Sequence, residues 1–490
     1  MGSTIHQASF ACSICQPSTS MTSLFSYLDK LVFFLKGSFR YFYEFLEDLR
    51  KFDRMRGRSR RHMYFVIVLL GLPFFLQAHT LFVPVNASSA ILINARNGKV
   101  LFEKNADQKK FPGSTTKIAS CVVALKKKPN FQEPVKCPLE CLLKIPQKVK
   151  IANQFQDPPY ILEPDGVSYG IYPGEILSFR DLLYGMMVYS ANDAANVVAH
   201  HLAQGSIDAY MEEVNTYLQS IGCSSTRFYN PHGLHHPKHV TTARDLARLA
   251  QEAIQMPEFL EIMKTVQYER PKTNKQTERM VWTGNRLLRK GPFYYPKAFG
   301  IKTGYHAAAG HCFVGAAKDD SRVLISVVLQ CASKAEAFKD TLRMFEAAFG
   351  EKRLTRQLMN HKDSLFVKKV KEGKRLLQAG LQEDFNIEYF PSEEEELKPE
   401  LVWQVIKAPI KKGDKVGEVH IKTLSDTVIK SAPLYAIQDV DIAWSYKGYY
   451  YIKEGGKGLV FFLFILGLLA FYEKRQRRRG ASIYKRSSFF

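Results

Sequence analysis

Apolar and polar positions alternate in several distinct rhythms along the 490 residues. At 90–105 (AILINARNGKVLFEKN) two short apolar runs flank Asn97-Gly98, the pattern of two strands joined by a tight hairpin turn. After Phe111-Pro112-Gly113 breaks the chain, Ser114-Thr115-Thr116-Lys117 opens the run IASCVVALKKK, which has helical length and composition. DLLYGMMV (181–188) and AANVVAHHL (194–202) read as buried helices on either side of Tyr189–Asp193. From Phe299 the spacing shortens again, and two strand-like runs within 310–331 flank the turn Lys318-Asp319-Asp320-Ser321. Strand-like runs continue from Leu365 to Trp444, interrupted by the acidic loop Glu393–Glu396.

Two segments are apolar on every face. Residues 63–76 (MYFVIVLLGLPFFL) follow the basic stretch Met55–His62 and precede Gln77-Ala78, which predicts a secretory signal peptide over 55–78. Cleavage is expected after Ala78, with Ala87 as the second choice. The short run and Pro73 argue against a permanent span. Residues 1–54 are either an amphipathic extension or lie upstream of a true start at Met55. The second segment, Gly458–Tyr472, reaches spanning length when Gly455, Gly456 and a snorkelling Lys457 are included. It predicts an anchor over 455–473, a basic cytoplasmic tail over 474–490, and an exported body between the two segments. Tyr449–Tyr451 suit a membrane-interface belt beside it.

This topology changes the meaning of the charge. The chain carries +22, yet residues 1–61 hold 10 Lys/Arg against 5 Asp/Glu and residues 473–490 hold 7 against 1. Half of the excess therefore flanks apolar segments, where it opposes translocation. The remainder is dispersed without a basic-aromatic module, which excludes nucleic acid as a partner. Of the eight cysteines, Cys12 and Cys15 form a C-x-x-C with no second pair at zinc spacing. Cys137 and Cys141 are close enough in sequence to pair in an oxidising compartment, though buried free thiols are the expected state.

Three short motifs carry chemistry. On a helix, Ser114 and Lys117 share a face at i,i+3, the placement a serine nucleophile needs when a lysine takes its proton. Ser-x-x-Lys alone is unspecific: Ser482-Ile-Tyr-Lys485 repeats it in the basic tail. Ser190-Ala191-Asn192 stands between two helices, where a hydroxyl and an amide can face a cleft; alone it would be plain capping. Lys302-Thr303-Gly304, on an expected edge strand, can bind a terminal carboxylate while the strand backbone pairs with a peptide. Gly304 would leave room for that peptide. The order Ser-x-x-Lys, Ser-x-Asn, Lys-Thr-Gly, each once in the exported region, is specific.

On these residues the sequence resembles the low-molecular-mass penicillin-binding proteins, the serine D-Ala-D-Ala carboxypeptidase family. The resemblance extends to FYNPHGLHHPKHVTTARDLARLA (228–250), with Thr242-Ala243-Arg244-Asp245, and to the β-rich pattern at 405–440. It implies an α+β fold: a penicillin-binding/β-lactamase-like serine acyl-transferase domain at 88–350, then a small β-sandwich at 365–444, then the membrane anchor. The stretch 353–364 is expected to close the catalytic domain. Carried over by position, Ser114 would be acylated, Lys117 would act as base, and Ser190 would relay the proton to the leaving amine. Asn192 would bond the substrate's peptide, Lys302 and Thr303 would hold its carboxylate, and the N–H groups of Ser114 and Tyr305 would form the oxyanion hole. No cofactor or metal is implied. The partners implied are peptidoglycan stem peptides ending in D-Ala-D-Ala, β-lactam antibiotics, and the membrane through the C-terminal helix. The implied location is the bacterial cytoplasmic membrane, with the catalytic body on its periplasmic side.

Asn94 and Gly113 depart from the family's usual Asp and Ala, and Ala191 from the commoner Gly; none carries the chemistry, so all read as tolerated. Segment 126–160 fits the pattern poorly and stays unassigned. A β-lactamase, a DD-endopeptidase or transpeptidase, and a non-catalytic wall-binding scaffold remain open alternatives on the same motifs.

Overall fold

The computed structural model describes residues 80–127, 130–404 and 407–484. The expected extension (1–54), the signal peptide (55–78), the Cys12–Cys15 pair and Lys485 lie outside the described residues.

Strands β1 (Ser89–Asn94) and β2 (Val100–Lys104) form the hairpin expected about Asn97-Gly98. They join β3 (Ala298–His306), β4 (Gly310–Lys318) and β5 (Val323–Cys331) in an antiparallel sheet of order β2-β1-β5-β4-β3. Both faces are covered, so the interior strands β1, β4 and β5 are buried at nearly every position rather than at alternate ones. Ile91 and Ile93 pack into one core, while Ala90 and Leu92, one residue out of phase, pack into the other.

The larger core lies under helices α1 (Lys117–Lys126), α2 (Phe179–Tyr184), α3 (Asn192–Leu202), α4 (Ile207–Ser220), α5 (Ala243–Ala253) and α6 (Pro257–Lys264). On the opposite face α7 (Lys334–Phe349) packs Phe338, Met344 and Phe345 against Leu92, Phe313 and Val328. Local signals set the helix starts. Ser178 with Asp181, and Ser333 with Glu336, form reciprocal capping boxes. In the Thr242–Asp245 motif, Thr242 caps α5 by accepting from Asp245 N at 3.1 Å.

The unassigned segment 126–160 becomes a flank of the helical lobe. Pro134–Lys136 pairs with Ile176–Ser178, and Asn196 on α3 donates to the carbonyls of Cys141 and Tyr160. All six described cysteines are buried and free.

The C-terminal domain is a β-sandwich. Strands β7 (Leu365–Lys368), β8 (Leu377–Gly380), β10 (Leu397–Trp403), β11 (Lys415–Thr423) and β12 (Val428–Ala436) form a sheet of order β7-β8-β12-β11-β10. A second, two-stranded sheet joins β6 (Leu354–Met359) to β9 (Phe385–Tyr389), and the two sheets share one core. The stretch 353–364 thus does not close the catalytic domain. Its Leu354–Met359 pairs in register with Phe385–Tyr389, because its apolar residues find their partners in the sandwich core. Beyond it, α8 (Trp444–Tyr484) is, among the described residues, the one helix long and apolar enough to cross a membrane.

The acidic loop is a tie between the domains. Glu393 accepts from Asn94 Nδ2 with both carboxylate oxygens at 3.1 Å and lies 3.4 Å from Arg322 Nε. Arg322 is fully buried, donates to Glu351 at 2.6 Å, and lies over the Phe390 ring at 3.3 Å. Asn94 is therefore not merely tolerated, since an aspartate there would set two carboxylates against each other.

Arg322→Ala strands Glu351 and Glu393 without their buried counter-charge. The expected cost is roughly 3–5 kcal/mol, read as a fall in melting temperature and earlier proteolysis near 350–365. A loss below about 1 kcal/mol contradicts this account.

Candidate active site

Ser114 sits in a tight 3-10 turn, Gly113–Thr116, that leads directly into α1. The nucleophile candidate is therefore one turn upstream of the α-helix rather than within it, while Lys117 is the helix's first residue. The two still meet: Lys117 Nζ lies 3.0 Å from Ser114 Oγ, 2.7 Å from Asn192 Oδ1 and 2.7 Å from the His232 carbonyl oxygen. Lys117 is fully buried. Its pKa is held far below the ordinary lysine value, first by burial, then by the positive charge of Lys302, with Asp193 opposing.

Ser190 closes a π-type turn, Gly185–Tyr189, and itself adopts a left-handed conformation at φ 71°, ψ 28°. For a residue with a Cβ that costs about 1 kcal/mol, strain of the kind concentrated at functional sites. Asn192 then starts α3, and its oxygen is taken by Lys117. Next to it, buried Asp193 accepts from the backbone N–H groups of Tyr169, Gly170 and Ile171, and so holds the loop that lines the cleft at Val167.

Lys302, Thr303, Gly304 and Tyr305 lie on β3, the edge of the sheet, as expected. Alternation along the strand turns Lys302 and Gly304 toward the nucleophile turn, and Thr303 and Tyr305 the other way. A Cβ on Gly304 would stand 2.6 Å from Pro112 O and 3.0 Å from Ser114 N. Its role is thus to let strand and nucleophile turn touch, and not, as expected, to clear room for a peptide. Gly113 has the complementary reason: at φ +54° its Cβ would meet Tyr305 N at 2.8 Å. The departure from alanine at 113 is required by this backbone, not neutral. Lys302 is buried, contacts the Thr303 carbonyl at 3.3 Å, and has its pKa pushed down to about 7 by burial and by Lys334.

A cavity of about 320 Å³ brings Ser114, Ser190, Thr303, Gly304, Tyr305 and Lys334 into one lining. Lys117, Asn192 and Lys302 sit buried beside these residues. Among the described residues, Ser190 makes no hydrogen bond to Lys117 or Lys302. Two contributors escaped the sequence reading. His232 supplies only its backbone oxygen, which no side-chain pattern encodes. Lys334 stands at the start of α7 and looks there like an ordinary surface lysine; it lines the cleft, half-buried beside Arg286 and Arg289.

Fold and cleft together define a serine acyl-transferase. A family model described as D-alanyl-D-alanine carboxypeptidase matches residues 77–333, and one described as the penicillin-binding protein 5 C-terminal domain matches 355–441. The chain belongs to the D-alanyl-D-alanine carboxypeptidase family and is a serine hydrolase. It is 28% identical over 360 residues to D-alanyl-D-alanine carboxypeptidase DacF of Bacillus subtilis, covering 72% of this chain and 86% of that protein. It is 29% identical over 364 residues to DacC of Escherichia coli, covering 73% and 85%. The crystal structure of penicillin binding protein 5 from Haemophilus influenzae superposes with a TM-score of 0.50 at 24% identity, covering 73% of this chain and 98% of that one, and shows the same fold.

Gly304→Ala is expected to force β3 off the nucleophile turn and cut penicillin acylation by at least about 100-fold, since one oxyanion donor alone is worth that much. Near-normal acylation would show that the close contact is dispensable.

Proposed function

We propose that Ser114 is the acylated nucleophile and Lys117 its general base, and one observation carries the assignment. The Lys117 amine has three neighbours, and two of them, a carbonyl and an amide oxygen, can only accept hydrogen bonds. A neutral amine gives its two hydrogens to those oxygens and leaves its lone pair for the Ser114 hydroxyl. Burial and Lys302 both keep the amine neutral.

The reaction follows from this arrangement. Ser114 Oγ attacks the carbonyl of the scissile D-Ala–D-Ala bond as its proton passes to Lys117. The tetrahedral anion is held by the N–H groups of Ser114 and Tyr305. Ser190 passes the proton to the departing D-alanine amine, and water then opens the acyl-enzyme. Asn192, its oxygen occupied by Lys117, offers its amide nitrogen to the substrate's peptide. Lys302, Thr303 and the newly found Lys334 hold the terminal carboxylate.

The enzyme thus removes the terminal D-alanine from peptidoglycan stem peptides through a serine acyl-enzyme, and penicillins acylate it. Among the described residues lining the cleft none is a carboxylate, which favours this reading over a β-lactamase that uses a glutamate to speed deacylation. The α8 helix anchors the enzyme in the cytoplasmic membrane with its body on the periplasmic side, and its exposed apolar surface supports that placement.

The test uses the full chain in detergent. Labelled penicillin should attach to wild type and not to Ser114→Ala, and D-alanine should appear from a D-Ala-D-Ala peptide. A label retained by Ser114→Ala sinks the assignment.

The pH profile of kcat/KM should be bell-shaped. It rises as Lys117 loses its proton and falls as Lys302, near 7, loses the charge that holds the carboxylate. Lys334 is a positive neighbour that disfavours protonated Lys302, so Lys334→Gln should move the falling limb to higher pH. A limb that stays fixed or moves down contradicts the assignment.

A further inference from the structure

The turn that carries Ser114 is held from behind by hydrogen bonds that the reaction just described does not use. Tyr229 N–H donates to His239 Nδ1 at 3.0 Å. A ring nitrogen that accepts carries no hydrogen, so the neutral imidazole bears its hydrogen on Nε2. That Nε2 lies 2.9 Å from Thr116 Oγ1. The Thr116 hydroxyl has one hydrogen, and it donates this to the Gly113 carbonyl at 2.9 Å. Thr116 Oγ1 must therefore accept from His239, and the chain runs one way: Tyr229 to His239 to Thr116 to Gly113.

Nothing in this chain is free to reorient. Thr116 and His239 are buried, and the His239 ring stacks on Phe228 at 4.7 Å and 17°. Burial, together with the neighbouring His306, His236 and His235, holds the ring neutral. A proton on Nδ1 would in any case oppose the Tyr229 N–H, donor against donor.

The Gly113 carbonyl and the Ser114 N–H belong to one planar trans peptide unit and point in opposite directions. Fixing the carbonyl therefore fixes the direction of the N–H. We propose that His239 and Thr116 are positioning residues for the oxyanion hole, which aim the Ser114 N–H at the developing anion by anchoring the Gly113 carbonyl. The inference rests on the reading of Ser114 as nucleophile and of its N–H as an oxyanion donor. The competing reading is structural: a hydroxyl bonded back to its own turn and an imidazole that merely fills space.

The full chain in detergent separates the two with four variants. Thr116→Val keeps the shape and removes the hydroxyl, while Thr116→Ser keeps the hydroxyl. His239→Phe keeps the stacked ring without donors, while His239→Gln returns an amide N–H near the Nε2 position. Four quantities are read: kcat and KM for D-alanine release from a D-Ala-D-Ala peptide, affinity for a peptide boronic acid that forms a tetrahedral adduct on Ser114, and melting temperature. Losing one oxyanion donor outright costs about 100- to 1,000-fold in kcat, so misaiming one should cost about 10- to 100-fold in Thr116→Val. KM should stay within about twofold, and boronate affinity should fall in parallel with kcat. Thr116→Ser should recover most of the loss, and His239→Gln should exceed His239→Phe.

Unchanged kcat and boronate affinity in Thr116→Val overturn the proposal, as does equal loss in Thr116→Ser. If His239→Phe fails to fold, the two Thr116 variants still decide. Label retained by Ser114→Ala would instead overturn the underlying nucleophile assignment, so the two failures are told apart.

Discussion

A lysine amine with no access to water is the constraint around which this catalytic domain is organised. Burying a charged ammonium is costly, so burial pushes Lys117 toward the neutral amine, and two acceptors stand ready for its hydrogens. The two acceptors come from distant parts of the chain: Asn192 at the start of α3 and the His232 carbonyl in a long loop. Helical lobe, loop and nucleophile turn are thereby drawn to one point. The same arrangement leaves a single lone pair over Ser114, so one set of contacts both seats the lysine and defines its chemistry.

A second cation, Lys302, reinforces this state from the edge strand. Its charge helps push Lys117 toward the neutral amine, while its own proton is held loosely because it is buried and, secondarily, because Lys334 stands near it. The site is a graded set of amines rather than a row of equal charges, with the most buried deprotonated most easily. That gradient suits the proposed roles, in which Lys117 takes a proton and Lys302 keeps one for an anionic substrate terminus.

Much of the architecture is legible in the sequence. The hairpin about Asn97-Gly98, the apolar strands of the central sheet and the edge position of Lys302–Tyr305 follow from local pattern, which short-range sterics and burial enforce. The three motifs indicated which side chains to bring together, because their chemistry is unusual in combination. Sequence alone misjudged the residues whose role is set by what they touch. Asn94 and Gly113 were read as neutral departures, yet one meets Glu393 across the domain boundary and the other meets Tyr305 N across the strand–turn contact. Gly304 was assigned to substrate clearance when its neighbour is the chain's own Pro112 carbonyl. Residues 353–364 were attached to the wrong domain, because strand pairing, not proximity in sequence, settles membership.

By itself the sequence determined the periodicities, the caps, the apolar C-terminal helix and the inventory of reactive groups, since each depends on residues within a few positions of one another. Tertiary structure decided which atom of each group is used. It chose the backbone oxygen of His232 rather than its ring, the oxygen of Asn192 for Lys117, the one-way order of hydrogen bonds through His239 and Thr116, and the lowered pKa of a fully enclosed lysine. Those outcomes depend on solvent exclusion and on partners far away along the chain, and no local pattern records either.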